Sequence, residues 1–281
     1  MIESHTHSIC SHDGHVTIAE MVEAAKARGT RYLAVTEHCD RDYRYCIKEF
    51  FCRQLNFRRY QKAFAEGQKV ADGLYLAFGV ECGYSAKATP IYCKEIPKYD
   101  FDVIINSVHT LCGQDVYFGK FFKGRTIEEA YGIYLDAVAS SLEVPYDYDI
   151  VGHFGYVTRY APYPDKSLMQ PQFVERVDKI LGRIIALGKT LEVNTHIRAP
   201  FPQLPEDAVL RRYFELGGRN ITFSSDAHRL TELGDKFEDT REKLAAMGFE
   251  HWTVYVRRKP VRIPLFADAA EITAAIDAAR T

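Results

Sequence analysis

The chain has 281 residues, enough for one large domain or two small ones, and its composition is ordinary for a soluble globular protein. A formal net charge of -2 at pH 7 argues against a basic nucleic-acid surface. No apolar run reaches the ~18 residues that a membrane helix needs, and no charged-then-apolar leader precedes the chemically suggestive residues that begin at position 5, so a cytoplasmic location is expected.

The first stretch, Ile2-Glu3-Ser4-His5-Thr6-His7, puts two imidazoles on one face if it is extended, because residues two apart on a strand point the same way. A turn rich in Ser, His, Asp and Gly follows at Ser8 to His15. Helical spacing then runs from Thr17 to Arg28 and stops at Gly29. Tyr32 to Thr36 reads as a buried strand ending in Glu37-His38. After a polar and aromatic segment, a helix is expected over Phe57 to Val70. Strands follow at Leu74 to Val80, ending in Glu81, and at Phe101 to Ser107, ending in Val108-His109. Ile127 to Leu142 reads as a helix, Asp149 to Gly152 as a short strand ending in His153, and Pro171 to Leu187 as a helix. Thr190 to Val193 is a strand ending in Asn194, Glu206 to Leu216 a helix, and Ile221 to Ser224 a strand ending in Ser225-Asp226-Ala227-His228. A helix over Thr240 to Met247, a last strand over Trp252 to Val256 and a closing helix over Ala267 to Ala279 complete the reading.

Strands alternating with helices mean parallel βα units. Seven or so units without a composition break, linker or repeat fit one α/β barrel spanning 1–281 better than two domains. In such barrels, catalytic residues gather at the C-terminal ends of the strands. The strand ends here carry His5, His7, His38, Glu81, His109, His153, Asn194, Asp226 and His228. Of the ten histidines, His12 and His15 lie in the first loop, His196 follows Asn194, and His251 alone falls away from the pattern. Imidazoles and carboxylates without ordered thiolates suit a catalytic metal site with open positions and fit zinc, iron or manganese alike. The seven cysteines are odd in number, scattered and without a Cys-x-x-Cys pair, which reads as reduced core thiols. Cys10, Cys39 and Cys82 are close enough to candidate ligands to leave a thiolate ligand as a minor alternative.

The motifs His5-Thr6-His7, Thr36-Glu37-His38, Gly79-Val80-Glu81, Ser107-Val108-His109, Gly152-His153, Glu192-Val193-Asn194 and Ser225-Asp226-Ala227-His228 resemble, in order and spacing, those of the PHP (polymerase and histidinol phosphatase) superfamily. The chain length resembles the stand-alone histidinol-phosphate phosphatases of that family. The resemblance implies a distorted seven-stranded (β/α) TIM-like barrel holding two or three divalent metal ions. It implies His5, His7, Glu81 and Asp226 on one ion, Glu81 bridging to His109 and His153 on a second, and His38 and His228 on a third. The third ion takes a first-loop residue. Because this chain reads Ser11-His12-Asp13-Gly14 where the family often has Ser-Asp-Gly, that residue is His12 or Asp13, with His15 as a weaker candidate.

Clustered divalent ions make hydroxide from water near neutral pH and neutralise phosphate charge. A bridging hydroxide attacking phosphorus needs no side-chain nucleophile, and Asp226 or His228 is a candidate to protonate the leaving oxygen. Arginine suits phosphate because its planar fork pairs two oxygens. Arg159 and Arg198 stand shortly after site motifs, and in the histidinol-phosphatase branch arginines in these two loops resemble a phosphate clamp, with Asn194 beside them and His196 a weaker candidate. The aromatic and arginine-rich segment from Arg41 to Arg59 is either a lid over the site or helices packed on the barrel's side. The expected activity is hydrolysis of L-histidinol phosphate, a small-molecule ester, without nucleic acid or membrane partners. A phosphoesterase acting on nucleotides, oligonucleotide ends or other small esters is the alternative.

Overall fold

The computed structural model describes residues 1–41, 54–196 and 201–280. Seven strands form one parallel sheet in the order β1 (Ile2–Glu3), β2 (Tyr32–Cys39), β3 (Tyr75–Gly83), β4 (Val103–Ser107), β7 (Ile150–Val151), β8 (Thr190–Asn194) and β9 (Ile221–Ser224). The first and last strands approach one another: Ser4 N donates to Phe223 O at 3.1 Å, His7 N donates to Ala227 O at 2.9 Å, and Thr6 bridges Ala227 in parallel. The sheet is thus a nearly closed seven-stranded barrel, as expected from the sequence. Its strands are near-continuous apolar runs because both faces are covered, one by the barrel interior and one by helices.

The helices form where the periodic apolar stripes predicted them. In α1 (Ile18–Ala27), Ile18, Met21, Val22 and Ala25 face inward, and Thr17 with Glu20 makes a capping box. Thr126 and Glu129 do the same for α4 (Ile127–Ser141), and Pro171 starts α6 (Pro171–Ala186). The ring is completed by α2 (Phe57–Gln68), α7 (Asp207–Glu215), α8 (Phe237–Ala246) and α9 (Ala269–Arg280). The short helices α3 (Thr89–Glu95) and α5 (Tyr156–Tyr160) and a small hairpin, β5 (Thr110–Leu111) with β6 (Gln114–Asp115), were not read from the sequence. Most of the segment read as a lid or side packing, 42–53, lies outside the described residues; its far end packs on the barrel's side, where Phe57 stacks on Tyr99 at 4.2 Å. No helix among the described residues is long and apolar enough to cross a membrane.

The stretch over Trp252 to Val256 is a strand, but it does not extend the barrel. It is β10 (His251–Val256), paired antiparallel with β11 (Lys259–Pro264). This hairpin crosses the N-terminal end of the barrel and stoppers it. The hydroxyl of Tyr32, at the start of β2, donates to Tyr255 O at 2.8 Å; Tyr255 Oη is 2.8 Å from Thr190 Oγ1, at the start of β8, and 3.2 Å from Asp149 O, before β7. At the hairpin's turn Arg258 Nε donates to Asp149 Oδ2 at 2.6 Å, which clasps the hairpin to the residue before β7. Tyr255→Phe strands buried polar groups at the stopper and should lower stability by ~1–3 kcal/mol in urea unfolding, while metal uptake at the opposite end of the barrel stays at the wild-type level.

Candidate metal centre

Parallel pairing places the C-terminal ends of all seven strands on one rim, and register aligns chemistry across it: His38 in β2 sits opposite Glu81 in β3, and Asn194 in β8 opposite Ser224 in β9. The buried carboxylate of Glu81 is the hub. Its Oε1 lies 2.9 Å from His153 Nε2 and 3.1 Å from His109 Nε2. Its Oε2 lies 2.6 Å from His38 Nδ1, 3.5 Å from His5 Nε2 and 3.6 Å from His7 Nε2. Asp226 Oδ1 adds a second carboxylate 3.2 Å from His7 Nε2 and 3.7 Å from His5 Nε2.

A third group stands beside these. His38 Nε2 and His228 Nε2 are 3.4 Å apart, and Asp13 Oδ2 is 3.6 Å from the first and 3.4 Å from the second. Between the two first-loop candidates the geometry favours Asp13, whose other oxygen is buried without a partner among the described residues. His12 lies one shell out, its Nε2 3.5 Å from Asp13 Oδ2 and its ring 5.4 Å from that of His38. Asp13 reaches inward because the next residue is Gly14: a Cβ there would fall 1.9 Å from Ser8 O.

The donor atoms fit divalent cations. His5 Nε2 and His7 Nε2 are 2.9 Å apart, and His109 Nε2 and His153 Nε2 are 3.2 Å apart; two ring nitrogens aimed at one point need a cation between them, a proton or a metal. Buried Glu81 Oε2 and Asp226 Oδ1 make no well-directed hydrogen bond among the described residues, only close approaches to ring nitrogens, and a buried carboxylate needs positive charge within reach. Burial opposes ionisation of Glu81, but His109, His5 and His38 outweigh it and hold the carboxyl well below its usual range. Burial also opposes ionisation of Asp13, and His38 and His228 outweigh it. Burial lowers the imidazoles, yet Glu192, Glu81 and Asp226 drive His5 well above its usual value, and neighbouring carboxylates do the same for His38 and His109. His7 goes the other way, held down by burial and by His38 and His228. Without metal, protons stand where cations would.

A family model described as "PHP domain" matches residues 3–196. The chain belongs to the PHP domain family. It is 30% identical over 234 residues to a histidinol-phosphatase of Lactococcus lactis subsp. lactis, covering 81% of this chain and 84% of that one. It is 27% identical over 241 residues to a probable histidinol-phosphatase of Clostridium acetobutylicum, covering 85% and 91%. A crystal structure of the L. lactis histidinol phosphate phosphatase, complexed with zinc, L-histidinol and phosphate, superposes with a TM-score of 0.81 at 27% identity, over 92% of this chain and 98% of that one. A structure from Listeria monocytogenes at 18% identity shares the fold, with a TM-score of 0.72.

Around the PHP rim stands a second layer that the sequence reading did not assign. Glu192 Oε1 takes His5 Nδ1 at 2.6 Å, and its other oxygen accepts from His153 N. Asp40 Oδ1 lies 3.1 Å from His109 Nδ1; Gly83 makes room for it, since a Cβ there would meet Asp40 Oδ1 at 1.7 Å. The period of two would have found both: Asp40 follows His38 by two residues, and Glu192 precedes Asn194 by two. Two further buried carboxylates, Glu3 and Glu37, are pushed up to about 7 by burial; Ser225 caps the first, and Ser8 and Ser11 cap the second. Glu3 holds Ser225 beside Asp226, whose left-handed backbone (φ 49) is the kind of strain that surrounding contacts must sustain.

The remaining candidates sort by position. Arg159 is buried at 6% exposure, donates to Asn194 Oδ1 at 3.1 Å and lies over the Tyr156 ring at 5.5 Å; among the described residues no carboxylate pairs with it. Asn194 Nδ2 donates to Asp226 Oδ2 at 3.2 Å. His196 stands at the edge, its ring 5.4 Å from that of His228, in a more open group with Glu232. The structure does not bring His15 into the cluster: its Nε2 accepts from Arg229 at 2.8 Å on the outside of the loop. Arg198 lies outside the described residues. Among those residues no cysteine joins a group able to hold metal, and burial pushes the Cys82 thiol well up, against a thiolate.

Because His5, His38 and His109 hold protons at neutral pH in the metal-free protein, loading zinc must displace them. Calorimetry in buffers of different ionisation heat should show net proton release, and apparent affinity should rise with pH until these imidazoles are neutral. Binding without proton release would contradict this electrostatic picture.

Proposed function

We propose that the protein is a metal-dependent phosphomonoesterase that hydrolyses L-histidinol phosphate to L-histidinol and phosphate. The observation that carries the reading is the Glu81 carboxylate, whose two oxygens face separate histidine groups, together with a buried arginine on Asn194 that no carboxylate pairs among the described residues. The kinship with histidinol-phosphatases over most of the chain supports the substrate.

His5, His7, Glu81 and Asp226 would hold one ion, and Glu81 with His109 and His153 a second. His38, His228 and Asp13 would hold a third. Nitrogen and oxygen donors suit zinc, iron or manganese. When bound, such ions supply a nucleophilic oxygen from water near neutral pH and neutralise charge on the phosphoryl group. The chain's own residues do the rest. Arg159, braced by Asn194 and Tyr156, presents a fixed cation to the phosphate oxygens. Asp40 and Glu192 orient His109 and His5. His228 directs Nδ1 at Asp226 O, 2.8 Å away, and so turns Nε2 inward. That arrangement suits His228 as a ligand better than as a donor of the leaving-group proton, and Asp226, whose carboxyl His5 and His7 hold well below its usual range against burial, is likewise better suited as a ligand.

Metal-loaded protein assayed on a panel of phosphomonoesters is expected to favour histidinol phosphate; turnover of other esters with none for histidinol phosphate would overturn the substrate assignment. Asp13→Ala should cut activity sharply and His12→Ala much less. Arg159→Ala should keep its metal but lose about ten- to a hundred-fold in kcat/KM, the equivalent of one lost charge-assisted pair, with only partial rescue by Arg159→Lys. Wild-type kinetics in Arg159→Ala would remove the clamp.

A further inference from the structure

Each inward-facing imidazole needs its outer nitrogen protonated so that the inner one offers a lone pair. Glu192 does this for His5 and Asp40 for His109, but among the described residues no carboxylate touches the outer nitrogen of His7, which faces Ser11 Oγ. We propose that Glu37, acting through the hydroxyl of Ser11, is the positioning residue that sets the tautomer of His7 and so prepares it to bind metal. The inference rests on the metal-centre reading above and deepens it.

The argument follows the protons. Glu37 is fully buried and accepts from Ser8 N at 3.1 Å, from Ser8 Oγ and from Ser11 Oγ. Donors converge on both of its oxygens, the Ser8 N–H lying 3.1 Å from Oε1 and 3.3 Å from Oε2, so the carboxylate is the acceptor of the group. Ser11 has one hydroxyl proton, and Ser11 Oγ donates it to Glu37 Oε2. The hydroxyl oxygen is then left to accept, and two groups face it: His38 N at 3.0 Å and His7 Nδ1 at 3.2 Å. A ring nitrogen facing an oxygen that can only accept must bring its own proton. His7 is therefore protonated at Nδ1, and its Nε2 lone pair points at Asp226 Oδ1 and Glu81 Oε2. The opposite tautomer would set two lone pairs against each other at Ser11 and turn an N–H into the metal position. The same hydroxyl, through His38 N, ties the end of β2 to the first loop, so one serine serves two candidate ligands.

Ser8 provides a matched control. Its hydroxyl also donates to Glu37 but, among the described residues, meets no imidazole ring and accepts from Cys10 N at 3.2 Å. In zinc-loaded protein, ring 15N spectra should show His7 protonated at Nδ1. Chelator competition followed through the His7 and His153 ring signals should show Ser11→Ala losing zinc at His7 with about 10- to 100-fold lower affinity, and Ser8→Ala staying near wild type. Ser11→Thr should restore affinity. Glu37→Gln, which lets an amide N–H face Ser11 and reverse the chain, should weaken His7 as Ser11→Ala does. Equal losses in Ser8→Ala and Ser11→Ala would mean that Glu37 only braces the loop and would overturn the proposal, as would a wild-type spectrum with His7 protonated at Nε2. No substrate enters the experiment, so a wrong substrate assignment moves neither readout. Wild-type protein that takes up no zinc would overturn the metal reading and this inference together.

Discussion

One buried carboxylate makes demands on everything around it. Glu81 lies in the barrel wall with no exposed surface, ringed by His5, His7, His38, His109 and His153. In a dry site such a group is tolerable only with cations within reach. Its two oxygens face different ways, so two positive centres satisfy it better than one. The outer carboxylates follow from the same electrostatics: Glu192, Asp40 and, through Ser11, Glu37 each steady an imidazole from behind and return part of the charge that the cations bring.

The barrel makes this affordable. Polar side chains gather at the strand ends, as Glu37, His38 and Asp40 do at the end of β2, while runs such as Tyr32 to Val35 behind them are apolar and buried. The opposite end is closed by the β10–β11 hairpin, whose hydrogen bonds reach the starts of β2 and β8 and the residue before β7. Stability and chemistry are thus segregated along the barrel axis, the usual arrangement for this architecture. The strained backbone at Asp226 belongs to the chemical end, and the serine-capped Glu3 that holds its neighbour is covered by the closure between β1 and β9.

Much of this was legible in the sequence because two periodicities coincide. Buried apolar runs such as Tyr32 to Thr36 announced strands, and polar residues at their ends announced a rim, so Glu81 and its histidines could be placed together before any coordinates, while the bridging role of Glu81 was implied by the family resemblance alone. What was missed depends on contacts that no local pattern encodes. Alternation marks Trp252 to Val256 as a strand but not its partner, and only the fold shows that β11 takes it out of the barrel. Counting from His5 could not separate His12 from Asp13, because the choice depends on how Ser8 to Gly14 curls, and Gly14 decides that through its closeness to Ser8 O. Asp40 and Glu192 carried a readable signal in their spacing, whereas the Glu37–Ser11–His7 chain joins residues 26 and 4 apart in sequence and becomes visible only through hydrogen-bond directions.

The central claim is that Glu81 bridges metal ions at the strand ends. Crystals grown with zinc and phosphate, measured at the zinc absorption edge, test it most directly. The account predicts anomalous peaks on both sides of Glu81, each about 2.0–2.2 Å from one of its oxygens, with phosphate between them and Arg159. A map with zinc bound elsewhere, or with a single peak that leaves one oxygen of Glu81 bare, would contradict it.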